Sequence, residues 1–160
     1  KYPNNLWISI ARSEAAEMAN KTALAQTRFE HLLTQFPNNR AVIIAYAQFL
    51  IKQNDRELAA RAQVILRTLS NDSSQDVVYQ RSYARACELS GDLLRAAEAY
   101  AEVTYLYGRV DDAINQLTAL LRNDDLDYYQ RARIEARIIY MKPISLELQR
   151  QGIRPEQQGS

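Results

Sequence analysis

The sequence predicts an all-α protein, a right-handed superhelix of about eight antiparallel helices stacked as repeated hairpins. Two copies of one phrase, an aromatic residue, a proline and two asparagines, occupy residues 2–5 and 36–39. Apolar residues after each copy recur at helical spacing. Four glycines and four prolines in 160 residues also argue against a loop-rich fold.

The two prolines of this phrase, Pro3 and Pro37, lie 34 residues apart. This is the period of the tetratricopeptide repeat, a pair of helices. The same offset joins Asn20 to Asn54. We therefore expect repeats at 6–39 and 40–73, with residues 1–5 as the end of a preceding repeat in a longer protein.

The second helix of the first repeat carries one apolar stripe, in which Ala25 and Phe29 are followed by Leu32 and Phe36. This spacing predicts a helix with one buried face. Pro37 then closes the repeat. In the second repeat, Ala59 stands at the position of Ala25, and Asn71-Asp72 replaces the closing proline.

Four turn residues each follow an apolar helical segment, where the chain needs a left-handed backbone that glycine and asparagine tolerate best. They are Asn20, Asn54, Gly91 and Gly108. Asp55 and Asp92 come directly afterwards and are predicted to cap the next helices.

The repeat frame is ambiguous after residue 73, because Gly91 and Gly108 are only half a period apart. Ala96 and Ala113 occupy equivalent packing positions in the two possible frames. We expect helix pairs at 74–107 and 108–142, and we expect the helix between the two glycines to be buried by both neighbours. Pro143 is predicted to end the last long helix, leaving a short helix and polar tail over 143–160.

Composition excludes several classes of function. The formal net charge is +1, from 20 basic and 19 acidic residues, so we expect no nucleic-acid partner. Without an apolar run of about 20 residues, we expect no direct membrane insertion.

Residues that could carry chemistry are few. His31 is the single histidine and Cys87 the single cysteine, so we predict a surface histidine and a packed thiol, with no catalytic residue, metal site or cofactor. The run Asp124-Asp125-Leu126-Asp127 lacks the glycine and glutamate of a calcium loop and is predicted to cap a helix. Arg131, Arg133 and Arg137 alternate with Glu135 and are predicted to form a solvated face.

The predicted partner-binding surface is the concave groove lined by the first helix of each repeat. Its wall is apolar towards one end and charged towards the other, which suits an extended or amphipathic polypeptide. The predicted groove residues are Trp7, Ile10, Glu14, Ile44, Gln48, Arg81, Arg85 and Glu88. Trp7 is equally explained as a residue that packs against an upstream repeat.

Ten tyrosines are present, six of them between residues 100 and 140. Because several stand at repeat packing positions, we predict that most of these six are core residues. They are Tyr100, Tyr105, Tyr107, Tyr128, Tyr129 and Tyr140.

The C-terminal half also carries a family resemblance. The segments Gly108-Arg109-Val110-Asp111-Asp112-Ala113-Ile114 and Gln130-Arg131-Ala132-Arg133-Ile134-Glu135-Ala136-Arg137-Ile138 resemble the end of the periplasmic zinc metalloproteases of the M48 family, whose C-terminal half is a tetratricopeptide domain. A weaker match covers residues 57–62.

The resemblance implies a periplasmic protein whose zinc and His-Glu-x-x-His helix belong to a catalytic domain outside this sequence. It also implies that the helical domain engages the outer-membrane barrel-assembly machinery or its substrates. No catalytic residue transfers to this chain, which is expected not to be an enzyme by itself. The alternative is a tetratricopeptide scaffold or assembly subunit unrelated to proteolysis.

Overall fold

The computed structural model describes residues 5–69 and 75–152, which form eight helices and no strand. The predicted all-α fold is confirmed. The helices are α1 (Leu6–Met18), α2 (Thr22–Gln35), α3 (Arg40–Lys52), α4 (Arg56–Arg67), α5 (Val77–Ser90), α6 (Leu93–Leu106), α7 (Val110–Leu120) and α8 (Tyr128–Arg150). Residues 2–4 of the first aromatic-proline phrase, Asn71-Asp72 and the polar tail after residue 152 lie outside the described residues.

Consecutive helices pack against one another along the chain, and α3 also packs against α1 and α5. The odd-numbered helices α1, α3 and α5 therefore stand side by side. This arrangement is a solenoid-like stack of helical hairpins, because each hairpin is covered mainly by its neighbours.

The turns between helices follow the sequence prediction closely. The backbone φ angles of Asn20, Asn54, Gly91 and Gly108 are 57°, 53°, 91° and 80°, so all four predicted left-handed residues are confirmed. Asp55 accepts a hydrogen bond from the backbone N–H of Leu58, at 2.9 Å. Asp92 accepts one from the N–H of Arg95, at 3.3 Å. Both predicted N-caps are therefore present.

The predicted packing positions of the first repeats are also found in the core. Ala25, Phe29 and Ala59 are fully buried, whereas Pro37 is exposed in the turn after α2. The Phe29 ring lies 5.6 Å from that of Tyr46 and 5.3 Å from that of Phe49, between ring centres. These three rings form the centre of a first apolar cluster, built by α1 to α5.

A second apolar cluster is built by α6, α7 and α8, and it includes Ala113, Leu117, Ile134 and Met141. Ala96 is buried as well, with 4% of its surface exposed. The helix α6 contacts both α5 and α7, as expected. It is not buried all round, however, because Leu93 and Tyr100 are 67% and 40% exposed.

The prediction that Pro143 ends the last long helix is wrong, since α8 continues through it to Arg150. Proline removes one backbone hydrogen bond and usually kinks a helix. Here the buried side chains Ile134, Ile138, Met141 and Ser145 follow one helical face across the proline. Packing along this face maintains the helix on both sides of Pro143, so no separate short helix forms.

Candidate functional site

The first candidate site is a groove between α3 and α5, with a volume of about 420 Å³. We call it the α3–α5 groove. It is lined by Gln48, Ile51, Lys52, Val78, Arg81, Ser82 and Arg85. Gln48 joins the two helices by donating a hydrogen bond from Nε2 to the Ser82 hydroxyl, at 3.3 Å.

Two of the three cations of the α3–α5 groove have carboxylate partners at its rim. Lys52 Nζ lies 3.2 Å from Glu17 Oε2, and Arg85 Nη1 lies 2.8 Å from Glu88 Oε2. Hydrogen bonds from Arg85 and from the Tyr100 hydroxyl lower the pKa of Glu88. The groove therefore combines partly neutralised cations with the apolar side chains of Ile51 and Val78.

The structure brings together only some of the groove residues predicted from the sequence. Gln48, Arg81 and Arg85 line the α3–α5 groove, and Glu88 pairs with Arg85. Trp7 and Glu14 are exposed on α1 and do not line it.

The prediction that Ile10 and Ile44 line the groove is wrong. Both belong to the first apolar cluster and are only 6% and 8% exposed. Their helical positions turn them towards neighbouring helices. A partner in the groove therefore has little of their surface to contact.

A larger cleft, of about 640 Å³, is lined by residues of α4 to α8. We call it the Arg–Tyr cleft. Arg67 of α4 lies at one side, with Tyr79, Gln80 and Tyr83 of α5; the remaining lining residues are Arg95, Glu98, Ala99, Glu102, Leu117, Arg133, Ala136, Arg137 and Tyr140. None of them lines the α3–α5 groove.

Two pairs of hydrogen-bonded ions join α6 to α8 in the Arg–Tyr cleft. Arg133 donates to both carboxylate oxygens of Glu98, at 2.8 and 2.6 Å. Arg137 donates to both oxygens of Glu102, at 2.5 and 2.6 Å. Such two-bonded arginine–carboxylate pairs fix both side chains.

The solvated face predicted for these residues is found in part: Arg133 and Glu135 are exposed, whereas Arg131 and Arg137 are half-buried. Arg131 instead donates to the backbone oxygens of Leu121 and Asn123, at 3.1 and 3.3 Å. A sequence signal for the ion pairs existed: each arginine follows its glutamate by 35 residues, close to the repeat period.

The prediction that most C-terminal tyrosines are core residues is also wrong. Tyr105 is half-buried, and the other five are exposed by between 40% for Tyr100 and 80% for Tyr129. Tyrosine is favourable at the boundary between core and solvent, because its ring can pack against apolar residues while its hydroxyl faces water.

The remaining candidates for chemistry stand where the sequence indicated. His31 is exposed. Cys87 is fully buried, and this burial raises the pKa of its thiol to about 11, so it is a poor nucleophile at neutral pH. Asp127 caps α8 in a reciprocal arrangement with Gln130, which confirms the interpretation of the acidic run as a helix cap.

Within residues 5–69 and 75–152, no helix combines the length and the apolar character that crossing a membrane requires. Comparison of the chain with known proteins found no matching family model and no matching curated protein.

Proposed function

We propose that this chain is a non-catalytic, tetratricopeptide-like domain that binds polypeptide in the α3–α5 groove. The observation that supports the proposal most directly is the composition of this groove. Ile51 and the 49% exposed Val78 offer apolar contact, while Gln48, Arg81 and Arg85 offer hydrogen bonds. An extended polypeptide presents both apolar side chains and backbone carbonyls, so it matches such a surface.

We further propose that the domain serves a periplasmic zinc metalloprotease of the M48 type, to which it would present unassembled outer-membrane barrel proteins or the machinery that inserts them. The support is the likeness of residues 108–114 and 130–138 to the end of those enzymes. Zinc and the catalytic residues would belong to a separate domain. The role of this chain would be to hold the polypeptide.

Binding is tested with the triple variant Gln48→Ala, Arg81→Ala and Arg85→Ala. The probe is a fluorescein-labelled outer-membrane barrel polypeptide kept unfolded, and the readout is fluorescence anisotropy. We expect affinity to fall about tenfold or more, because the variant removes two arginines, a residue type enriched among those that dominate binding at interfaces. Arg122→Ala is the matched control, since Arg122 is exposed and lines neither cleft. Equal affinity of the triple variant and the control would overturn groove binding.

The link to proteolysis has its own test. Reading the gene upstream of Lys1 should reveal a His-Glu-x-x-His segment, and fractionation of cells should place the protein in the periplasm. Further repeats or an unrelated domain in the place of that segment would support a scaffold with no role in proteolysis.

A further inference from the structure

We propose that the Arg–Tyr cleft is a second binding site, which takes an acidic linear peptide segment. It shares no lining residue with the α3–α5 groove. The proposal therefore does not rest on the function assigned to that groove. A volume of about 640 Å³ is within the range of sites that enclose a ligand, roughly 300–1,000 Å³.

The charges that line the cleft favour a negatively charged ligand. Its lining contains four arginines and two glutamates. Both glutamates are already held by two hydrogen bonds each, from Arg133 and Arg137. The other two arginines, Arg67 and Arg95, share the single carboxylate of Asp92. One positive charge therefore remains for a ligand.

Arg67 and Arg95 converge on a single carboxylate oxygen, Oδ2 of Asp92, from different helices. Arg67 Nη2 lies 3.9 Å from this oxygen and Arg95 Nε lies 3.5 Å from it. The same oxygen accepts a hydrogen bond from Gln63 Nε2, at 2.8 Å. The Asp92 carboxylate is thus shared by two guanidinium groups, neither of them at close hydrogen-bonding distance. Both arginines therefore keep N–H donors that can bind a carboxylate of the ligand.

Aromatic rings complete the cleft. Tyr79 and Tyr83 are stacked, with ring centres 5.9 Å apart, and the guanidinium of Arg137 lies 4.5 Å from the centre of the Tyr140 ring. Tyr140 is 52% exposed and so presents a rigid surface to a ligand. Tyrosine and arginine are enriched where protein interfaces bind most strongly.

The same features favour a peptide over a nucleic acid. The carboxylates of Glu98 and Glu102 already engage Arg133 and Arg137, which leaves few cations for a continuous phosphate backbone, and the net charge of the chain is only +1. A peptide can instead place individual carboxylates beside Arg67 and Arg95 and leave neutral residues beside the glutamates.

The test compares two short fluorescein-labelled peptides, one with alternating glutamate and serine around a tyrosine, the other with glutamine in place of each glutamate. Anisotropy at low salt should show at least about tenfold tighter binding of the glutamate peptide. The double variant Arg67→Gln and Arg95→Gln should lose that preference. The double variant Arg12→Gln and Arg122→Gln is the matched control, because both arginines are exposed and line neither cleft.

Peptide contact is also mapped on the unaltered chain by amide chemical shifts, which does not depend on the variants folding. Shifts centred on Tyr83, Glu98 and Ala136 support the proposal. Equal binding of the two peptides, shifts confined to the α3–α5 groove, or tighter binding of a single-stranded oligonucleotide in the cleft would overturn it.

Discussion

Arg137 on α8 and Glu102 on α6 form a two-bonded ion pair although they stand 35 residues apart in the sequence. Other tertiary hydrogen bonds have almost the same separation. Gln48 donates a hydrogen bond to Ser82, Arg56 to Ser90 and Ser145 to Asp111. In each of these pairs the two residues are 34 positions apart. Equivalent positions of successive hairpins are therefore in contact, and the repeat period is the sequence distance between contacting residues.

The Arg137–Glu102 pair should contribute measurably to stability, because the two side chains are only 26% and 17% exposed. In a double-mutant cycle with Arg137→Ala and Glu102→Ala, we expect a coupling energy of about 1–2 kcal/mol. Urea unfolding gives the required free energies. The exposed pair Arg150 and Glu147, 3.9 Å apart, should give coupling near zero, and a similar value for both pairs would contradict the prediction.

Phe29→Ala should destabilise the fold by roughly 3–5 kcal/mol, because it empties the centre of the first apolar cluster. The free energy of unfolding in urea measures the loss. Phe36→Ala is a matched control: it removes the same side chain from the end of the same helix, where 37% of it is exposed. The interpretation of Phe29 as the central core residue fails if the two variants are equally stable.

Gly91→Ala and Gly108→Ala should each cost about 1–2 kcal/mol, since both glycines have a left-handed backbone that an L side chain resists. At Gly91 the new methyl group would also come within 3.2 Å of Arg56 Nη2, but this flexible side chain can move aside. Thermal unfolding compares both variants with Asn54→Gly. Asn54 also has a left-handed backbone, which glycine adopts without strain, so this variant should lose no stability. Wild-type melting temperatures for the two alanine variants would be inconsistent with this backbone requirement.

Stability should fall as the pH rises above 9, because burial raises the pKa of Cys87 from its ordinary 9.0 to about 11. The folded state holds this proton more tightly than the unfolded state, so the contribution is complete below the unfolded pKa and is lost as the pH approaches the folded one. The slope should reach about 1 kcal/mol per pH unit. Burial also raises the pKa of Tyr46 and of Tyr79 to about 12, which extends the loss to higher pH.

Cys87→Ala isolates the thiol in this experiment. Its free energy of unfolding should vary less between pH 9 and 11 than that of the wild type, whatever its stability at neutral pH. An unchanged slope would assign the alkaline loss to other groups.

The sequence predicted those features of the fold that depend on local chemistry. Asn20 and Gly91 mark turns because few residues accept a left-handed backbone, and Phe29 belongs to a stripe that only a helix would produce. The course of α8 beyond Pro143 was not predictable in this way. It depends on buried contacts such as that of Met141 with helices distant in the sequence.

The candidate sites were predicted less completely, for a related reason. Helical position alone suggested that Ile44 lines a groove, but the packing of α3 between α1 and α5 buries it. The Arg–Tyr cleft requires the register of α8 against α6, which a helical pattern within one segment does not contain. The 35-residue spacings from Glu98 to Arg133 and from Glu102 to Arg137 were the traces of this register in the sequence.

The division of the core into two apolar clusters has a mechanical consequence. Arg67 and Tyr79 project from helices of the first cluster, whereas Arg133 and Tyr140 project from a helix of the second. A molecule bound among these four side chains would contact helices of both clusters at once. Its binding energy would then be lost when either cluster unfolds, so the two clusters would unfold cooperatively, in a single transition.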